Sequence, residues 1–335
     1  MDFIPSNRSL PQAQLLARLA AERTHLLLQF EGEDEAALTN EPIIGQWTAA
    51  TLLAHLALND AHAADQLFKL ADGRSTAIPL DAVGAMPEAH DAALQTQFAH
   101  LTFAEAVALS QKERRGFLMA LGRCSDETLE QPAPRGWTTQ SYRHDAEHAV
   151  DIAQWRSSRP PTEPSLRVIH HALLRPLLGL AQQEFLALAA LVPEEERNDQ
   201  TLEGDWSLKQ MIGHLVDYER LAIVALKAVA VGREPVYETS IPDFDAFNNN
   251  HAMAWSDRAD DEVGAYYRAT RRALLLVAEA LPDEALARPF AAPWPETTTA
   301  CGFLLDMAQH QREHADSLRR ALNLPPLPPH LGREA

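Results

Sequence analysis

One ordered set of residues occurs twice in this chain and constrains its fold more than any other feature. Trp47 is followed by His55 and, much later, by His144-Asp-Ala-Glu-His148; Trp206 is followed by His214 and then by His310-Gln-Arg-Glu-His314. Trp47 and Trp206, His55 and His214, and Gly73-Arg74 and Gly232-Arg233 keep one offset of 159 residues. Arg114-Arg115 and Arg271-Arg272, like Pro132 and Pro289, are 157 apart, and the histidine pairs are 166 apart. Such drift places small insertions in loops, where chain closure makes them cheap. The chain reads as one module written twice.

Each copy has the pattern of a helical bundle. Leu16, Leu19, Leu26, Leu27 and Phe30 recur at helical spacing over Leu10 to Phe30. After a polar break from Glu31 to Pro42, Trp47-Thr48 opens a second helix that carries His55 and ends at Gly73. Residues Gly73 to Leu101 read as a long connection. Thr102-Phe-Ala-Glu105 is a capping box starting a third helix to about Arg123, and a fourth runs from near Thr139 to Trp155. Four helices with one long crossover make a bundle. In the second half, Ser207-x-x-Gln210 caps the second helix, Asp260-Asp-Glu262 places negative charge at the start of the third, and Pro176 predicts a kink in the first, Ser165 to Leu191. The expected fold is all-α, with two tandem bundles over residues 1–158 and 166–335 and a proline-rich linker over 159–165.

Composition excludes several functions. The chain has 335 residues, enough for two cores, and its 47 acidic against 29 basic residues give a formal charge of −18, which repels a phosphate backbone. Met1 to Leu10 hold no apolar signal core, and the apolar run Leu173 to Val192 is broken by Arg175, Gln182, Gln183 and Glu184. The expectation is a cytoplasmic protein with no nucleic-acid or membrane partner. Cys124 and Cys301 stand apart and read as small buried hydrophobes.

Histidines four apart on a helix share one face, so both imidazoles can reach one ion. Fourteen histidines placed at random give about 0.6 such pairs, so a single pair carries little weight. Two pairs at matching places, each with a third histidine on the second helix of its half, carry much more. The candidate ligands are His55, His144 and His148, and His214, His310 and His314. Three neutral imidazoles leave a divalent ion with open positions for water or substrate, and they suit zinc, nickel or iron among other metals. A protease helix would need a glutamate after the first histidine; Asp145 and Gln311 stand there instead. Glu147 and Glu313 read as surface residues, His62 as packing, Trp47 and Trp206 as covers of a bundle end, and the arginine pairs as solvated faces.

The order tryptophan, histidine on helix two, long crossover, and His-x-x-x-His on helix four resembles the DinB/YfiT-like superfamily of metalloenzymes, over nearly the whole chain and twice. The resemblance implies four-helix bundles with a three-histidine metal site, carried here to the two trios above. Members of that superfamily include thiol-dependent transferases and isomerases, metal-dependent hydrolases and the iron-binding bundle of sulfoxide synthases. The implied partners are a small substrate and a low-molecular-weight thiol. Because single-bundle relatives pair into dimers, this chain is expected to be an internal pseudo-dimer, monomeric as a whole. Asp243 to Asn248 looks more like the family's crossover loop than its first-half equivalent does. The competing expectations are a metal-binding stress-response bundle without turnover, and a purely structural tandem bundle.

Overall fold

A computed structural model describes residues 9–74, 96–159, 167–238, 241 and 243–328. The chain divides into two compact units, Gln14–Thr162 and Glu163–Ala335, with Met1–Ala13 grouped with the latter. It is predominantly helical, with a single short hairpin among the described residues. The expected proline-rich linker lies outside those residues except for Arg159, as do Ile78-Pro79 and most of the first crossover.

In the first unit, α1 spans Leu10–Leu28, α2 Glu35–Asn40, α3 Ala49–Ala71, α4 Phe103–Arg123, α5 Asp126–Glu130 and α6 Pro132–Ser157. The periodic residues of α1, Leu16, Leu19, Leu26 and Leu27, are buried together with Phe30, which meets Phe103 edge to face at 5.4 Å. Helix α3 packs along α4 and against α6. Thr48 caps α3 through the Thr51 amide, and Thr102 with Glu105 forms the predicted capping box of α4.

Two local features depart from expectation. The polar break contains α2, because Asp34 accepts from the Ala37 amide and so starts a helix within polar sequence. Helix α6 begins at Pro132 instead of near Thr139. Pro132 and Pro134 fall in its first turn, where the missing amide hydrogens would have had no helical acceptor.

In the second unit, α7 spans His171–Ala189, α8 Leu208–Ala230, α9 Phe244–Ser256, α10 Asp260–Glu279, α11 Asp283–Leu286 and α12 Ala300–Ala321. Helix α7 packs on α12, and α8 contacts α9, α10 and α12. Pro176 lies inside α7, which starts at His171, later than expected. Ser207 and Gln210 form the expected box on α8, and Asp260, Asp261 and Glu262 open α10. The hairpin is the other departure. Strand β1, Pro289–Ala291, pairs antiparallel with β2, Thr297–Thr299, whose β-branched residues suit a strand; Thr299 then caps α12 through the Gly302 amide. Pro289 therefore enters a strand, whereas Pro132 enters a helix.

Candidate metal centres

In each unit the same local device delivers the third histidine. A glycine with positive φ, Gly45 at 57° and Gly204 at 53°, lets the chain turn just ahead of the tryptophan, a conformation most side chains resist. The turns close through Ile44 with Trp47 and Glu203 with Trp206. Eight residues after the tryptophan, the histidine ring lies against the indole, at 4.7 Å for Trp47 and His55 and 4.8 Å for Trp206 and His214. The tryptophans thus fix a candidate ligand directly, a closer role than the covering one expected from sequence.

The six candidate histidines assemble into two trios, each of which could hold a metal ion. In the first, Nε2 of His144 lies 3.0 Å from Nε2 of His55 and 2.9 Å from Nε2 of His148. In the second, Nε2 of His310 lies 2.9 Å from that of His214 and 3.1 Å from that of His314. Ligand nitrogens held at about 2.0 to 2.1 Å from one ion stand about this far apart.

The nitrogens behind them fit the same chemistry. His148 donates from Nδ1 to Asp151 at 2.9 Å, and His314 from Nδ1 to Glu203 at 2.5 Å, which leaves a lone pair on each inward Nε2. Ser317 also donates to Glu203, at 2.8 Å. The Asn59 amide lies 3.1 Å from Nδ1 of His144; turned oxygen-first it accepts that proton, and the two ends of an amide are interchangeable. Burial, reinforced by His148 and His55, pushes His144 down to about 3, and burial with neighbouring histidines holds His214 and His310 well below the usual imidazole range. Three imidazole Nε2 atoms converging in this way, with Nδ1 of one ring in each trio held by a carboxylate, are metal-ligand chemistry.

The surroundings of the two centres differ. Asn59 beside the first is matched, at the repeat offset of 159, by Tyr218 beside the second. The Tyr218 ring lies 4.8 Å from His214 and 4.7 Å from His310, and its hydroxyl donates to Asn248 on α9 at 2.9 Å. Burial pushes that hydroxyl up to about 12, so it stays a neutral donor. Phe247 and Trp294 continue the aromatic wall, with ring centroids 5.7 and 6.5 Å from Tyr218.

Other sequence candidates take different places. Glu147 and Glu313 are exposed, as expected. His62 is exposed on α3, outside the first trio and not packed as expected. Asp145 turns from the centre into a buried ion-pair cluster. The arginine pairs are corrected: Arg114 and Arg271 are buried and ion-paired, not solvated, because each meets a carboxylate from another helix. Cys124 and Cys301 are buried thiols, as expected. Sequence reasoning missed Asp151, Glu203, Asn59 and Tyr218. Asp151, Asn59 and Tyr218, each about one turn beyond a candidate histidine on its own helix, carried a local signal; Glu203 reaches His314 through the fold.

The chain is thus a helical protein with two three-histidine groups able to hold metal. Residues 177–317, within its second unit, match the family model of the DinB superfamily. Searches of curated proteins and of solved structures found no match. Among the described residues no helix is long and apolar enough to cross a membrane.

Proposed function

We propose that both units are copies of one DinB-like module, residues 1–158 and 166–335, and that His55, His144 and His148, and His214, His310 and His314, ligate a divalent zinc, nickel or iron ion. On this reading the protein is an enzyme, a hydrolase or a thiol-dependent transferase acting on a small substrate, in a monomeric, cytoplasmic internal pseudo-dimer. The observation that carries it is the convergence of three imidazole Nε2 atoms in each unit, with Asp151 or Glu203 holding one imidazole from behind. A bound divalent ion with open positions supplies positive charge that lowers the pKa of water or a thiol and polarises a carbonyl. The protein's own groups do the rest: Trp47 and Trp206 hold a ligand ring in place, and the aromatic wall around Tyr218 offers an apolar seat.

Metal analysis after purification without a nickel column tests the first part, with about two ions per chain expected; less than about 0.2 ion per chain overturns metal binding. The reaction is tested by screening thiol transfer and ester or amide hydrolysis. Wild-type turnover should disappear in His144→Ala with His310→Ala, and survival of full activity would sink the mechanism.

A further inference from the structure

Helix α9 brings a second histidine chemistry to the second unit. His251 donates from Nδ1 to Asp217 Oδ2 at 2.9 Å, and the same oxygen accepts the Trp255 Nε1 hydrogen at 2.7 Å. Asp217 lies on α8, three residues beyond His214, and its side chain is 12% exposed against 37% for His251. The imidazole is stacked on Phe247 with centroids 4.0 Å apart, and Phe247 leads through Tyr218 to His310.

These contacts do more than dock α9. The Trp255 hydrogen bond already ties that helix to Asp217, and the indole packs so closely on Gly213 that an added Cβ would meet it at 2.1 Å. With Nδ1–H held by a mostly buried carboxylate, the ring is fixed in one tautomer and its free lone pair is on Nε2, for which no partner appears among the described residues. A carboxylate-oriented imidazole with an available Nε2 is the arrangement that accepts and returns a proton. The first unit has Leu58 at the offset of 159 that Asp217 occupies.

We propose that His251 is the general base and then the general acid of the second centre, with Asp217 as the residue that positions it. The assignment rests on the reading of that centre as catalytic. As a lone pair of the attacking water or thiol forms its bond to the electrophilic carbon of the substrate, the nucleophile's proton passes to Nε2. When the bond to the leaving group breaks, that group keeps the electron pair and takes the proton from the imidazolium, so His251 ends neutral.

The test uses the full metal-loaded chain. His251→Gln should lower kcat by at least about 10²-fold, move KM little and keep the wild-type ion content. Asp217→Asn should lose less, and long-range proton–nitrogen NMR should show His251 protonated on Nδ1 in the wild type and shifted toward Nε2–H in that variant. Wild-type kcat in His251→Gln, loss of the ion from it, or an Nε2–H ring in the wild type would each overturn the assignment. Failure of the loaded wild type to turn over any substrate would instead overturn the enzyme reading, and the assignment with it.

Discussion

Beneath their histidine trios the two units solve one problem differently. In the first, Arg23 and Arg114 are buried among Asp60 and Asp145: Arg23 reaches Asp145 at 3.0 Å, Asp60 at 3.1 Å and Ser110 at 2.9 Å, and Arg114 is paired with both carboxylates. In the second, the residues at the repeat offsets are Gln182 for Arg23, Glu219 for Asp60, Tyr267 for Ser110, Arg271 for Arg114 and Gln311 for Asp145. There Arg271 pairs with Glu219 at 2.5 Å and with the Gln311 amide oxygen, while Gln311 donates to the Tyr267 hydroxyl at 2.8 Å. The second layer has two charges where the first has four, one fewer of each sign, so both layers are neutral. What is kept is charge balance under burial, not the residues that supply it, because an uncompensated buried charge costs far more than a balanced pair.

The largest effect should come from breaking that balance in the first unit. Arg23→Gln alone leaves an extra buried carboxylate and should destabilise the unit by about 3–5 kcal/mol, whereas Arg23→Gln with Asp145→Gln should recover most of the loss. Hydrogen exchange in α1, α3 and α6 reads this unit alone; a double variant as unstable as the sum of its singles would refute the argument.

The second layer should respond to pH. Burial pushes the Glu219 carboxyl up to about 7 despite Arg271. Its folded pKa lies above its unfolded value, so the native state holds the proton more tightly. Stability of the second unit therefore falls as pH rises from about 4.5 to 7, by up to ~3 kcal/mol, and is flat above. Glu219→Gln should remove this slope in denaturation curves taken across that range.

The carboxylates behind the centres have also changed places. Asp151 corresponds to Ser317 and Ile44 to Glu203, so the acid sits on the helix in one unit and on the turn in the other. Asp151→Asn and Glu203→Gln should each weaken metal binding about 10- to 100-fold, and only in the unit that carries the change. Titration calorimetry that shows both centres weakened by one change would contradict the assignment.

The smallest effects concern helix contact. Gly213→Ala would drive a methyl into Trp255 and should cost about 1–3 kcal/mol, while Ala54→Gly, its counterpart in the first unit, should cost about 0.5–1 kcal/mol. Equal losses in thermal unfolding would show that α9 is not clamped through that glycine.

The sequence made the all-helical fold and both histidine trios legible because helical spacing puts His144 beside His148 and the repeat points to His55 and His214. Caps at Thr48, Thr102 and Ser207 were legible because they act over three residues. The buried layers were not: Arg23 and Asp145 are 122 positions apart, and no local pattern distinguishes a buried Arg114 from the exposed Arg115 beside it. Asp217 and His251 were hidden for the same reason, since only the packing of α9 on α8 joins them. The hairpin was missed because Pro289 was aligned with a proline that begins a helix.

The indoles at the two turns give the chain a built-in optical gauge. Trp47 and Trp206 each touch a candidate ligand ring, so their emission registers what the histidines hold, and a paramagnetic ion would quench it over so short a distance. Phenylalanine at one position or the other would silence one channel and leave its counterpart to be followed against the remaining four tryptophans of the chain's six. Occupancy of each centre could then be followed separately, in solution and in real time, without any added label.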